Sequence, residues 1–129
     1  MLDEKKTIED IAACDGRYDV RAIRFVFEGL GVTVDRIERQ YEGSMETRHI
    51  TGDQLACGLG ELAIDRWGRL ARMVLDKWGV KTTRDFGEIV YLMIENEWMS
   101  AQPTDQIEDF DNVFDFEQKF EKDFQFASL

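Results

Sequence analysis

One histidine, one proline and two cysteines are all that this 129-residue chain holds of the residues that most often carry catalysis, rigid turns or cross-links. With His49 the only imidazole, a serine or cysteine nucleophile has a single candidate base. A di-iron bundle needs the Glu-x-x-His pattern twice, so Glu46 and His49 cannot complete one. Cys14 and Cys57 lie far apart, with no CxxC and no further histidine, which excludes a disulfide framework and a zinc site; both are expected to be small buried apolar residues. No apolar run reaches membrane length, and the opening MLDEKKTIED has no apolar signal-type region, so a cytoplasmic protein that does not enter the membrane is expected. Basic charge is also scarce. The net charge is -11, and residues 101–129 hold eight acidic residues against two basic ones. Such a field works against general binding to DNA or to anionic lipid.

What is present is helical periodicity, in a length that suits one domain with a real core. Thr7, with Asp10 three residues on, starts a short helix that should stop near Asp15 and Gly16. Asp19 caps the longest pattern, in which Val20, Ile23, Phe27, Leu30, Val34 and Ile37 recur every three or four residues. Gly29 and Gly31 interrupt it and predict a kink or the close approach of another backbone. Gln40 to Arg48 is polar and is expected to be a loop. Thr51 and Gln54 form a capping box ahead of Leu55, Leu59, Leu62, Ala63 and Trp67, and Gly68 ends that helix. Leu70, Val74 and Trp78 then mark a fourth helix with Gly79 just past its end. The central helix is expected from Thr83 to Met99, the most continuously apolar stretch.

Beyond Pro103 the composition changes to carboxylates alternating with phenylalanines. Phe116, Phe120 and Phe124 at four-residue intervals predict a last amphipathic helix capped by Asp115, after a turn at Phe110 to Phe114. The fold class is therefore mainly α, a compact orthogonal bundle of five or six helices. It leaves room for at most a two-stranded, winged-helix-like element near Ile50, Val80 or Met99. The unit is a single domain, 1–129, with 104–129 packed on it or extending from it. The expected core is Phe27, Leu30, Leu59, Leu62, Val74, Trp78, Phe86, Ile89, Val90 and Met93.

Motifs for known chemistry are incomplete. Gly58, Gly60 and Ala63 satisfy GxGxxA, but inside a capped helix with no strand before it, where the glycines cannot cradle a phosphate. Asp109, Asp111, Asn112 and Asp115 lack the central glycine and terminal glutamate of a calcium loop. Asp85-Phe86-Gly87 spells a kinase triplet without the other kinase motifs. No cofactor, metal set or catalytic group emerges. Asp85, Glu88 and Glu95 share the polar edge of the central helix, which keeps a carboxylate-dependent enzyme built on Glu88 as a minor alternative. Arginines are better organised: Arg17, Arg21 and Arg24 form one stripe, and Arg66, Arg69 and Arg72 cluster around Gly68. The stripes could hold a phosphate or RNA, or could meet the chain's own acidic C-terminal segment, and the net charge favours the second.

Several pieces, among them Asp15-Gly16-Arg17-Tyr18, His49-Ile50-Thr51-Gly52, Trp78-Gly79-Val80, Asp85-Phe86-Gly87-Glu88-Ile89-Val90 and Val113-Phe114-Asp115-Phe116, resemble a family of small uncharacterised bacterial proteins of about this length. The resemblance spans nearly the whole chain. It implies one domain that includes the C-terminal segment, and it brings no activity, cofactor or catalytic residue. The leading functional expectation is a non-enzymatic interaction module. In it Phe110, Phe114, Phe116 and Phe120, with Asp111 and Asp115, engage a basic protein partner. A nucleic-acid-associated factor working through the arginine stripes is the alternative.

Overall fold

Helix signals place most of the elements. In a computed structural model that describes residues 6–40, 50–102 and 104–122, Thr7 accepts a hydrogen bond from Asp10 N–H at 3.0 Å and starts α1, Ile8–Asp15. Gly16, at φ 80°, ends it in the left-handed region that suits glycine. The second helix, α2, runs unbroken over Val20–Gln40. The Thr51–Gln54 capping box starts α3, Gly52–Trp67; a 3-10 turn, Gly68–Leu70, leads into α4, Ala71–Lys77. The fifth helix, α5, spans Thr83–Glu95 and ends four residues before Met99. A 3-10 turn, Ile107–Phe110, and a π-helical turn, Gln118–Lys122, follow. The result is a compact helical bundle. Among the described residues there is no strand, so the two-stranded element considered for Ile50, Val80 or Met99 is absent there. The loop expected from Gln40 to Arg48, the Glu46/His49 pattern and Phe124 fall outside the described residues, apart from the backbone of Gln40.

The core is built from five helices and the C-terminal segment together. Leu59, Phe86, Ile89 and Met93 are fully enclosed, and Leu62 and Val90 nearly so, as expected. Phe27 is the main exception at 39% exposure. The face that α2 buries runs through Ala22, Ile23, Val26, Gly29 and Thr33, which puts Phe27 on its margin, edge-on to Trp98 with ring centroids 5.6 Å apart. On α4 the 3-10 turn sets the helix so that Ala71 and Leu75 face inward and Leu70 is exposed, with Val74 and Trp78 half-covered. Cys14 and Cys57 are exposed free thiols on the outer faces of α1 and α3, contrary to their expected burial.

Gly29 and Gly58 are where α2 and α3 close on one another. A Cβ on Gly58 would run into the side chain of Thr33, and one on Gly29 into Leu59. Close approach, rather than a kink, is what these glycines provide, while Gly31 faces open space. The contact carries a defect: Thr33 is buried, and its Oγ1 has no hydrogen-bond partner. Replacing a buried, unpaired hydroxyl by a methyl of similar shape removes a desolvation penalty. Thr33→Val is therefore expected to stabilise the fold by about 1 kcal/mol, seen as a higher denaturant midpoint with an unchanged m-value.

Candidate functional site

The C-terminal segment is locked against α5 by one buried side chain. Thr83, 1% exposed, donates its hydroxyl to the Phe110 carbonyl at 2.6 Å and accepts from the Val113 N–H at 3.2 Å. The ring of Phe110 then lies on a seat formed by Gly52 of α3 and Gly87 of α5. Phe116 packs on Phe86 at 5.7 Å between centroids, and Phe120 meets Phe116 at 5.1 Å. Phe110, Phe116 and Phe120 are thus core residues, at 4%, 4% and 0% exposure, and only Phe114 is half-buried. The expectation that these phenylalanines anchor a partner gives way to a physical reason: their rings are already enclosed by the chain's own helices. Asp111 pairs with Arg84 at 3.0 Å and Asp115 accepts the Gln118 N–H at 2.9 Å, so both carboxylates are also engaged internally.

The arginines are likewise engaged. Arg17 bridges Asp15 at 2.8 Å and Glu88 at 3.2 Å, and these carboxylates, Asp15 foremost, hold its guanidinium pKa above the ordinary value. Arg21 pairs with Asp19 at 2.9 Å, which pulls the Asp19 carboxyl down to about 2. Arg24 pairs with Glu9, Arg66 with Glu28 and Arg72 with Glu121, and Arg69 has a partner as well. Arg72 reaches the C-terminal segment at Glu121, and Arg84, which neither stripe includes, reaches it at Asp111. A cavity of 380 Å³ beside Arg72, Lys81 and Arg84 is bounded by cations that already have carboxylate partners.

Glu88, the candidate carboxylate catalyst, is clamped between Arg17 and Arg84 at 3.2 and 3.1 Å. Next to it, Tyr18 donates to Asp85 at 2.5 Å, while Asp85 accepts the backbone N–H groups of Lys81 and Thr82 at 2.8 and 3.2 Å. Burial, and then the bond to Asp85, push the Tyr18 phenol above its ordinary pKa. This cluster ties the α1–α2 connection to the start of α5. Among the described residues no group of His, Cys, Asp and Glu side chains could hold a metal ion, and no helix is long and apolar enough to cross a membrane.

A larger cavity lies elsewhere, at the other end of α5. It has a volume of 820 Å³ and is open to solvent along one side. Leu30, Leu55, Val90, Ile94, Trp98 and Phe110 give it an apolar lining, and Glu97, Asp105 and Asp109 stand around it. Tyr91 lies between the two kinds of surface. Partial burial, and then the charges of Asp105, Asp109 and Glu108, raise its phenol pKa. Trp98 is fixed by its indole N–H, which donates to the Lys6 carbonyl at 2.7 Å, and by the edge of Phe27. The α5 helix brings no basic residue to its last turn, so the negative end of its dipole adds to the same field.

Sequence reasoning missed this site because its walls come from α2, α3, α5 and the C-terminal segment, which no local pattern joins. One signal was available. Between Arg84 and Lys119 there is no lysine, arginine or histidine, although that stretch carries ten acidic residues. No protein-family model, curated protein or solved structure matches the chain.

Proposed function

We propose that this chain is a non-enzymatic interaction module that docks a basic, apolar-anchored segment of another protein in the 820 Å³ groove at the end of α5. The groove itself carries this reading. Its volume falls in the range of specific ligand sites, and its lining of aliphatic and aromatic side chains offers burial to one or two large apolar groups. The carboxylates around it then discriminate between partners, favouring a lysine or arginine beside the anchor and rejecting an acidic peptide. The partner surface expected on the phenylalanines of the C-terminal segment is thereby moved. The segment builds one wall, through Phe110 and the carboxylates of Asp105 and Asp109, while its rings serve the core.

Arginine-mediated RNA binding has less support, since Arg17, Arg21, Arg24, Arg66 and Arg72 are paired with carboxylates of this chain. The reading is tested with fluorescein-labelled seven-residue peptides made of lysine and leucine, of glutamate and leucine, or of lysine alone, titrated with the protein and followed by anisotropy. The lysine–leucine peptide should bind in the micromolar range and the other two should bind far more weakly. Its affinity should fall as salt shortens the Debye length from about 10 Å to about 3 Å. Equal binding of the lysine–leucine and glutamate–leucine peptides, or no binding of either, would sink the reading.

A further inference from the structure

Two helices of this protein end in the same backbone motif with different residues at its critical position. At the end of α4 the Gly79 N–H reaches Asp76 O at 3.0 Å and the Val80 N–H reaches Leu75 O at 2.9 Å. At the end of α5 the Glu97 N–H reaches Ile94 O at 3.1 Å and the Trp98 N–H reaches Met93 O at 2.8 Å. Both are Schellman ends, which require one residue in the left-handed region and favour glycine there. Gly79 fits, at φ 94°, whereas α5 places Glu97 in that position at φ 68°. A glutamate in this conformation is strained, because its Cβ crowds the backbone. Glu97 is exposed at the groove's edge, among its lining residues, and makes no ion pair among the described residues. Beside it, the last turn of α5 holds no basic residue.

We infer that Glu97 is the specificity-determining residue of the groove: it receives the partner's lysine or arginine, which also supplies the positive charge that α5 lacks at its C-terminus. This rests on the docking reading above and names the contact that selects the partner. Apolar side chains from Leu30, Ile94 and Trp98 hold the anchor, and the cation lies against Glu97 and the helix end. The occupant is therefore a protein segment with a large apolar residue next to a basic one. A neutral apolar segment would leave the carboxylate unpaired, and a segment with basic residues alone would leave the lining open to water.

The test compares Glu97→Gly, Glu97→Gln and the natural protein, in thermal melts and in titrations with the lysine–leucine peptide. Glu97→Gly relieves the strained backbone and should raise the melting midpoint by roughly 3 °C, while Glu97→Gln should leave it unchanged. Both should bind the peptide about fivefold more weakly and with a shallower dependence on salt, as expected for loss of one partly exposed ion pair. A merely structural Glu97 would move the melt and not the salt dependence. Should the natural protein bind and both variants bind as tightly as it does, the assignment of Glu97 falls while the groove stands. Should the natural protein fail to bind at all, the docking reading falls and this inference with it.

Discussion

Removal of residues 103–129 is expected to leave a chain that keeps helical circular dichroism but loses its cooperative melt, its near-ultraviolet aromatic signal and its ability to exclude a hydrophobic dye. The reason is the burial of Phe110, Phe116 and Phe120, each at 4% exposure or less. Truncating one such phenylalanine to alanine costs about 3–5 kcal/mol. Losing all three, with the Thr83 hydrogen bonds to Phe110 and Val113, removes as much as the whole of the roughly 5–15 kcal/mol by which a domain of this kind is stable. What remains should be a molten state, compact and helical without fixed packing. A truncated protein that still melted in one sharp calorimetric transition would show that the five helices carry their own core and that the segment is an appendage.

The second large effect is expected from a single methyl group. Gly87 faces the ring of Phe110 so closely that a Cβ there would stand 2.8 Å from Cγ and 2.9 Å from Cβ of the phenylalanine. Those atoms lie near the backbone of the 3-10 turn and cannot swing aside like the end of a flexible chain. Alanine gains about 1 kcal/mol of helix propensity at this position. The overpacking costs about 1–3 kcal/mol and rises further if Phe110 is pushed from its seat. Gly87→Ala should therefore destabilise by up to about 2 kcal/mol, a fall of up to roughly 8 °C in the melting midpoint. Gly31→Ala is the control, since a Cβ there meets nothing within 4 Å and only the helix propensity gain should remain. If both substitutions stabilised the protein alike, the seat described for Phe110 would be wrong.

How far the sequence reveals this molecule depends on how local each feature is. Thr7, the Thr51–Gln54 pair, Gly16 and Gly79 act through hydrogen bonds and dihedral angles within a few residues, so the helix starts and stops they mark are legible without tertiary information. The buried face of a helix is less so. Phe27 and Leu70 satisfy an apolar period and are nevertheless exposed, because the packing of α2 on α3 and the 3-10 turn before α4 rotate the inward faces away from them. The C-terminal phenylalanines show the opposite failure. Their acidic neighbours suggest a solvated surface, yet the four-residue spacing turns Phe116 and Phe120 inward, Phe116 onto Phe86 of α5 and Phe120 onto Phe116, and the carboxylates remain outside. The groove was legible only in its charge. The long stretch without a basic residue announces a negative field, but Leu30, Leu55, Ile94 and Phe110 become neighbours only once four segments have packed.

The order of the chain also matters to its biosynthesis. Helices α1 to α5 precede Phe110, Phe116 and Phe120 along the sequence, yet the core these helices share is closed by those three rings. A nascent chain emerging from the ribosome has these five helices available before it can finish its interior. During that interval Phe86 and the glycine seat on α3 and α5 are uncovered, and the growing polypeptide presents the kind of sticky surface that chaperones capture and proteases attack. Translation speed through the codons for residues 104–122 thus sets how long the intermediate is vulnerable, and slow synthesis there would lower yield without altering the finished protein.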